Sequence, residues 1–342
     1  MPRMSVRHES TYRYARPVTF GEHRMMFRPR DSHDLRIIKA TLDIKPAPAA
    51  IRWRHDVFSN SVAVASFAGA AESLTFVSEI ELDHFEGTEP DCPVEAYAET
   101  YPFSYSLSEL PDLARSIERH YPDPDHAVDL WARQFLVKNG PTKTMELLTR
   151  LTKAIKEQGF VYTTREAEGV QTPDVTLRLK SGSCRDFALL MMEAARSVNL
   201  AARFVSGYLY VPRLDAKAAT AAPALGGLAS PPSAAPGPAT PMQTAPLRPA
   251  AAPAPPTPLG GGATHAWVQV YLPGAGWVEF DPTNAIVGNR DLIRVAVARD
   301  PSQAVPLSGS YFGEASDFLD MSVEVSVRAA DTERAGSARE LA

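Results

Sequence analysis

The sequence contains little cysteine and no long apolar run. Cys92 and Cys184 are its two cysteines, whereas a secreted protein of this size more often carries a framework of disulfides. A single bridge between the two stays open at this point. The first ten residues, MPRMSVRHES, hold no apolar stretch of the signal-peptide kind, and no window approaches the roughly 18 apolar residues of a membrane helix. We therefore expect a cytoplasmic protein with no membrane partner.

The sequence also has no excess of positive charge. It contains 35 Lys and Arg against 40 Asp and Glu, which gives a net charge of -5 and a pI near 5.9. Binding to nucleic acid or anionic lipid is driven by clustered positive charge, so we expect neither partner. No Gly-rich phosphate loop, EF-hand calcium loop or CxxC metal pair is present. We expect no cofactor.

The first quarter of the chain alternates between apolar and polar residues. Between Ser5 and Phe85, runs with this period of two are VRHESTYRY, LRIIKATLDI, AIRWRH, SVAVASFAG and LTFVSEIELDHF. Gly, Pro, Asn and Asp separate the runs. Many short strands without intervening helices are typical of a β-sandwich, and we assign residues 1–90 to such a domain.

The pattern then becomes helical and later mixed. Apolar residues at three-to-four spacing occur in LPDLARSIERHY, AVDLWARQFLVKN and TKTMELLTRLTKAIKEQG, the last of which ends at Gly159. We interpret residues 91–158 as a helical connection into an α+β core at residues 159–320. Residues 321–342 are expected to form a C-terminal strand and a frayed tail.

An Ala- and Pro-rich insert interrupts this core at residues 215–262. It contains 12 of the chain's 30 prolines, and such a composition cannot bury enough apolar surface to offset the entropy of ordering. We predict a disordered surface loop. The strand-like runs AARFVSGYLYV and THAWVQVYL on either side are expected to be halves of one sheet, because a long insertion adds little to the cost of loop closure.

Cys184 lies where a helix is predicted to begin. The preceding Gly182 and Ser183 suit a turn and an N-cap, and the apolar residues that follow lie on one helical face: Phe187, Leu190, Met191, Ala194, Ala195 and Val198. Free backbone N–H groups and the positive dipole end in the first turn favour a thiolate. The same groups can receive the oxygen of a tetrahedral intermediate. Cys184 is therefore a candidate nucleophile, although a lone cysteine beside an apolar face is usually a small buried hydrophobe.

A candidate base lies on a later strand. In THAWVQVYL, alternation places His265 and Trp267 on the opposite face from Ala266 and Val268. The turn PGAG and the run WVEFDP follow, which is a hairpin signature. With a turn centred on residue 273, His265 and Asp281 oppose each other directly; with one centred on 274 they are diagonal neighbours, still within side-chain reach. In either register the carboxylate can orient the imidazole.

A helix-start cysteine, a strand histidine and a next-strand aspartate form the nucleophile, base and orienting group of cysteine acyl transfer. Two other interpretations stay open. Cys184, His265 and Asp281 could instead bind Zn²⁺ as an open three-ligand site. The protein could also be a non-enzymatic scaffold that binds partners through its β-domain and Pro-rich insert.

The segments around these residues resemble the bacterial transglutaminase-like family of the papain-like superfamily. The resemblance is carried by SGSCRDFALLMMEAARSVNLAARFVSGYLY, THAWVQVYLPGAGWVEFDPTN and IRVAVARDPSQAVPLSGSYFG. The β-rich start, with TYRYARPVTFGEHRMMFRPR and WRHDVFSNSV, resembles the N-terminal sandwich domain that accompanies this core. Two departures are the insert, which separates Cys184 from His265 by 81 positions, and Ala298 where the family has Gly.

The resemblance implies a role for each candidate residue. Cys184 is then the nucleophile, His265 the general base and acid, and Asp281 the residue that holds the imidazole. Arg185 and Asp186 are expected to support the site or the helix start. Trp267 and Trp277 are expected to wall the cleft, unless they are plain packing, and Gln171 and Tyr162 are weak candidates for a second oxyanion donor.

The resemblance also implies a reaction class. The thiolate attacks an amide of a protein or peptide, His265 protonates the departing amine, and an amine or water resolves the thioester. Transamidation, deamidation and peptide hydrolysis all remain open from sequence, since they differ in the acceptor that reaches the thioester.

Overall fold

The computed structural model describes residues 3–85, 93–163, 169–212 and 263–329. Cys92, the predicted insert at residues 215–262 and the predicted frayed tail beyond residue 329 lie outside the described residues. Within them, no helix is both long and apolar enough to cross a membrane.

The strands and helices follow one another in an order that separates a β-rich start from a mixed core. The first six strands are β1 Arg3–Phe20, β2 His23–Met25, β3 Leu35–Lys45, β4 Ala50–His55, β5 Ser61–Ser66 and β6 Ala70–His84. The next segment contains β7 Thr100–Tyr101, α1 Leu110–Ile117, α2 Ala127–Arg133, β8 Thr142–Lys143, α3 Thr144–Glu157 and β9 Val161–Tyr162. The core continues with α4 Pro173–Leu179, β10 Ser181–Gly182, α5 Cys184–Ser197, β11 Ala202–Leu209, β12 His265–Leu272, β13 Gly276–Asp281, β14 Ile286–Val287 and β15 Leu292–Ala298. The last strands are β16 Leu307–Ser308, β17 Tyr311–Phe312 and β18 Phe318–Ala329, and short 3₁₀ helices cover Ala96–Ala98, Pro301–Ala304 and Ala315–Asp317.

Two antiparallel sheets form the predicted β-sandwich. The long sheet has the order β3, β6, β1, and both β17 and β18 pair with the other side of β1. The short sheet has the order β16, β2, β5, β4. Large apolar side chains fill the space between them, among them Tyr14, Phe20, Phe27, Leu74 and Phe76. The alternation read from the sequence places these side chains on the inner faces.

The sandwich is completed by strands from the end of the described chain. β16 pairs with β2, and β18 pairs with β1 from Met4↔Ala329 to Tyr14↔Phe318. The sequence interpretation counted residues 307–320 with the core and residues 321–342 as a separate C-terminal segment. Local alternation does not specify the partner of such a strand, because pairing depends on long-range register.

The core is a helix packed on an antiparallel sheet, as predicted. The core sheet has the order β14, β13, β12, β11, β15. One face, which includes Phe204, Ala266, Val268 and Val270, packs on the apolar side of α5. These features confirm the predicted α+β class, with a β-sandwich followed by a core in which a helix packs on an antiparallel sheet.

The second face of the core sheet is also buried. On this face Val205, Trp267 and Val297 form a buried cluster, against which Phe58 of the N-terminal domain packs. Elsewhere on the core sheet, Tyr208 and Ile293 pack against Met4, Val6 and Leu82 of the long sheet. The half of β1 near its start therefore covers the core, while its other half lies in the sandwich. The core sheet is thus enclosed between α5 and the N-terminal domain.

Candidate active site

Cys184 is the first residue of α5, as the capping pattern predicts. The carboxylate of Asp186 accepts the backbone N–H of Ser183 at 2.8 Å and the backbone N–H of Gln171 at 2.6 Å. Asp186 is fully buried, and Cys184 is 5% exposed and carries no disulfide. Asp186 therefore fixes the turn that presents the sulfur, which matches its expected role at the helix start.

The hairpin of β12 and β13 brings His265 and Asp281 together. Val268 pairs with Phe280 and Leu272 with Gly276, so the turn is centred on residue 274 and the two site residues are diagonal neighbours. Nε2 of His265 lies 2.8 Å from Oδ2 of Asp281. Of the two registers left open by the sequence, the structure has the diagonal one, and the imidazole N–H donates to the carboxylate.

Three further donors hold the carboxylate of Asp281. The backbone N–H groups of Thr283 and Asn284 donate to Oδ1 at 2.9 and 3.2 Å, and the side-chain amide of Asn284 donates to Oδ2 at 2.8 Å. The amide nitrogen of Asn284 also lies 3.4 Å from Nε2 of His265. Sequence reasoning missed Asn284, although Asp-Pro-Thr-Asn is a turn signature in which such side chains bond to nearby backbone.

The other nitrogen of the imidazole, Nδ1, is the one available to the cysteine. Nδ1 of His265 is buried and has no hydrogen-bond partner of normal geometry among the described residues. Burial alone lowers the pKa of His265, but the charge and hydrogen bond of Asp281, together with the interaction with Cys184, outweigh it and raise this pKa to about 10. The same pairing lowers the pKa of Asp281 against the effect of its burial. An imidazolium held between a carboxylate and a thiol is thus stable at neutral pH.

Of the two weak candidates for an oxyanion donor, the structure brings one to the cysteine. Burial, followed by the charge of Cys184 and a hydrogen bond to it, raises the pKa of Tyr162, so its hydroxyl stays protonated and lies beside the sulfur. The side-chain amide of Gln171 instead donates to Oγ1 of Thr176 at 3.1 Å and to the carbonyl of Ser181 at 2.9 Å. Gln171 therefore supports the helix start.

Arg185 is directed away from the cysteine. Its guanidinium donates to the carbonyl of Pro301 at 2.9 Å and lies over the ring of Phe204, 5.4 Å from its centroid. It joins α5 to the 3₁₀ helix that follows β15. Its contacts are those of a residue that supports the site from the side, rather than of a residue that contacts a substrate at the sulfur.

The two tryptophans do not wall a cleft as predicted. Trp267 is fully buried and stacks on His265, with ring centroids 5.9 Å apart and an interplanar angle of 29°. Trp277 lies near the turn of the hairpin, where Arg203 packs over its ring at 4.0 Å. The alternative of plain packing applies to both, because Trp267 lies in a buried cluster with Val205 and Val297, and Trp277 packs beside Tyr105 and Leu113.

The backbone of β11 passes so close to the indole of Trp267 that Gly207 has no room for a side chain. A Cβ on Gly207 would collide with the carbonyl oxygen of Ile293 and lie 2.7 Å from Cη2 of Trp267. We expect Gly207→Ala to lower the free energy of unfolding by about 1–3 kcal/mol, because neither the backbone nor the buried ring can move freely. Denaturant unfolding measures this. Gly69→Ala is the matched control, since its Cβ would meet nothing within 4 Å; equal stability of the two variants would contradict the expectation.

The arrangement of the three candidate residues does not favour a metal site. Nε2 of His265 is already bound directly to Asp281, and Cys184 interacts with the same imidazole. A zinc ion would instead need the free donor atoms of all three residues to converge on one point. Across residues 3–85, 93–163, 169–212 and 263–329, no group of three His, Cys, Asp or Glu side chains has such a geometry.

Two family models match the chain, one in the N-terminal β-sandwich and one in the core. Residues 4–83 match the bacterial transglutaminase-like N-terminal region, and residues 131–282 match the transglutaminase-like superfamily. The first match covers the opening strands of the sandwich, and the second covers α5, β12 and β13 with all three candidate residues. The chain thus carries a bacterial transglutaminase-like N-terminal region and a transglutaminase-like core, which confirms the resemblance drawn from its sequence.

Relatives of similar length occur in mycobacteria. An uncharacterized protein of Mycobacterium leprae is 23% identical over 325 residues, which cover 95% of this chain and 99% of the relative. One from Mycobacterium tuberculosis strain H37Rv is 26% identical over 336 residues, with coverages of 94% and 92%. A crystal structure described as a putative cysteine protease from Cytophaga hutchinsonii has a TM-score of 0.63 at 16% identity and covers 97% of this chain and 91% of its own. This likeness shows that the two proteins share a fold.

Proposed function

We propose that the protein is a cysteine-dependent enzyme that transfers the acyl group of an amide through a thioester on Cys184. The observation that carries the proposal is the position of His265 between two groups. Asp281 holds its Nε2, the ring interacts with Cys184 at the start of α5, and Nδ1, which has no hydrogen-bond partner among the described residues, is the nitrogen left for the sulfur. This is the geometry in which an imidazole activates a thiol.

The first half of the reaction forms the thioester. The sulfur of Cys184 attacks the carbonyl carbon, the C–S bond forms, and the carbonyl oxygen takes the negative charge. The C–N bond then breaks, and the imidazolium of His265 gives its proton to the departing amine or ammonia. Because Asp281 raises the pKa of His265 to about 10, the proton is on the ring at neutral pH when the leaving group needs it.

The second half of the reaction releases the acyl group. An amine or water attacks the thioester while the neutral imidazole of His265 accepts its proton, the C–S bond breaks, and the thiolate of Cys184 leaves beside the imidazolium. During both halves, the free N–H groups in the first turn of α5 stabilise the oxyanion. The protonated hydroxyl of Tyr162, which lies beside the sulfur, is the proposed side-chain donor to the same oxygen.

The burial of the site limits the shape of the substrate that can reach the sulfur. Cys184 is 5% exposed and His265 is 1% exposed, so a slender group reaches the sulfur more easily than a folded surface does. We propose an amide of a protein or peptide as acyl donor and an amine or water as acceptor. The proposal places the reaction in the cytoplasm, for which the low cysteine content is the support.

Selective alkylation of the cysteines tests this proposal. A low dose of iodoacetamide near neutral pH, followed by mass spectrometry, is expected to modify Cys184 at least about ten times faster than Cys92, because an activated thiolate is the nucleophile. In urea the two rates are expected to become equal. The proposal would be contradicted if both cysteines reacted equally slowly in the folded protein, or if Cys184 reacted only after unfolding. Either result would support a binding scaffold without enzymatic activity.

A further inference from the structure

A network of charged and polar side chains lies behind the candidate site, on the face of the core sheet that the N-terminal domain covers. Glu279 is its centre. This buried carboxylate accepts hydrogen bonds from the indole N–H of Trp267, from the amide of Gln269 at 2.6 Å and from the guanidinium of Arg294 at 2.6 Å. Burial raises the pKa of Glu279, and these three donors oppose the increase. The mechanism described above uses none of these groups.

Arg294 connects this carboxylate to the N-terminal domain. Its second terminal nitrogen donates to both carboxylate oxygens of Asp34, at 3.2 and 3.4 Å. Asp34 lies between β2 and β3 and is itself held, since it accepts the hydroxyl of Ser32, and its backbone carbonyl accepts the N–H of Phe85 at 2.9 Å. One guanidinium thus bridges a carboxylate of each domain.

Trp267 connects the network to the site. The indole N–H is bound to Glu279, and the far edge of the ring lies against the backbone of Gly207, where even a Cβ would be 2.7 Å away. The ring is therefore fixed at both ends. Because it stacks on the imidazole of His265, its plane limits the rotation of that imidazole about the bond to its backbone.

We propose that the N-terminal domain is a working part of the active site, in which Asp34 acts through Arg294, Glu279 and Trp267 to hold His265 in the orientation that presents Nδ1 to the cysteine. This inference rests on the proposed function. Asp34, Arg294, Glu279 and Trp267 are positioning residues, because they act on the ring of His265 and not on the reacting sulfur. The domain that the chain shares with its family thereby supplies a group on which the reactivity of the core depends.

Other charged groups near this path are few and can be named. Arg203 of β11 donates to the side-chain oxygen of Gln269 at 2.6 Å and interacts with Glu279. On the site side, the groups that face His265 are Asp281 and Cys184. His33 lies near Asp34, and Arg30 lies near Arg203. Asp34 also accepts the side-chain amide of Asn289 at 3.5 Å, but Arg294 is its link to Glu279, and Asp34 is not among the groups that act directly on His265.

The test compares Asp34→Asn with a matched control in the full-length protein. Asp317→Asn removes a carboxylate of similar burial, with 8% of its side chain exposed against 14% for Asp34, that pairs with Arg16 at 2.7 Å in the sandwich. We expect Asp34→Asn to slow the alkylation of Cys184 by about three- to thirtyfold, as is typical of coupling through packed networks. Asp317→Asn is expected to leave the rate unchanged even if it lowers the unfolding temperature equally. Asp34→Glu, which keeps the carboxylate, is expected to restore most of the rate.

A second readout follows the imidazole itself. The ¹⁵N chemical shifts of His265, recorded across pH in protein with labelled histidine, report the protonation and hydrogen bonding of each ring nitrogen. We expect Asp34→Asn to change the shift and the titration of Nδ1 and Asp317→Asn to leave both unaltered. A merely structural network would change the unfolding temperature but neither the ring shifts nor the pH profile of alkylation.

The outcomes distinguish this inference from the proposed function. If wild-type Cys184 is alkylated selectively but Asp34→Asn changes neither the alkylation rate nor the His265 shifts, Asp34 does not position the ring. The inference is then overturned, while the proposed enzymatic function is still supported. If wild-type Cys184 shows no selectivity, the proposed function fails, and the shifts of His265 alone show whether Asp34 orients the ring. Equal effects of Asp34→Asn and Asp317→Asn would also overturn the inference, because general loosening would then explain them.

Discussion

Replacement of Cys184 by alanine is expected to abolish acyl transfer. An activated ester such as p-nitrophenyl acetate reports acylation of a reactive thiol whatever the natural amide is, and the wild type should release a burst of p-nitrophenolate equal to the enzyme present. In Cys184→Ala we expect the burst to disappear and the rate to fall by at least about 10⁴-fold, because removal of the nucleophile leaves only binding and the oxyanion donors. Stopped-flow absorbance measures both quantities.

The matched control is Cys92→Ala, which removes the other thiol. We expect it to keep the full burst. If the burst persisted in Cys184→Ala and disappeared in Cys92→Ala, the reactive residue would be Cys92, and the proposed active site would be wrong. Loss of the burst in both variants, with unfolding curves unchanged, would also contradict it.

The second large effect is expected for His265→Ala. Without the imidazole, Cys184 loses the cation that stabilises its thiolate and the acid that protonates the leaving group. We expect alkylation by iodoacetamide near neutral pH to slow by about 10²–10⁴-fold. The difference should narrow above about pH 8.5, where ordinary thiols ionise without help. Rates measured by mass spectrometry from pH 6 to 10 give the complete profile.

The control for this variant is His55→Ala, at an exposed position of β4. We expect its alkylation profile to match that of the wild type. An identical profile for His265→Ala and the wild type would mean that the thiol is not activated by this ring, and the proposed mechanism would be wrong. A lower unfolding temperature with an unchanged profile would leave His265 a purely structural role.

The core of the candidate site is predictable from sequence because its determinants are local. The start of α5 follows from Gly182, Ser183 and the spacing of apolar residues after Cys184, and these are contacts within one turn. The hairpin follows from alternation on each side of PGAG. Its register is less certain from sequence, since a turn centred on 273 or 274 uses the same residues, and pairing with β11 contributes to the choice.

The surroundings of the site are less predictable because they depend on distant parts of the chain. The pairing of β18 with β1 and the contact of Arg294 with Asp34 join residues more than 250 positions apart. Alternation places Glu279 and Trp267 on one face but cannot show that Phe58 and Asp34 of the N-terminal domain contact that face. In the sequence, the network around Glu279 is visible only as polar residues that alternate with apolar ones on predicted strands. Such alternation usually indicates a face that is exposed to solvent.

The pairing of β1 with β18 has a consequence for synthesis of the protein. Met4 lies opposite Ala329, and at roughly 5–20 residues per second a ribosome needs about 15 seconds or more to make the intervening chain. During that time one side of β1, an open edge with unpaired backbone groups, is available to other strands. The nascent polypeptide therefore exposes this edge until its own late strand is synthesised and pairs with it.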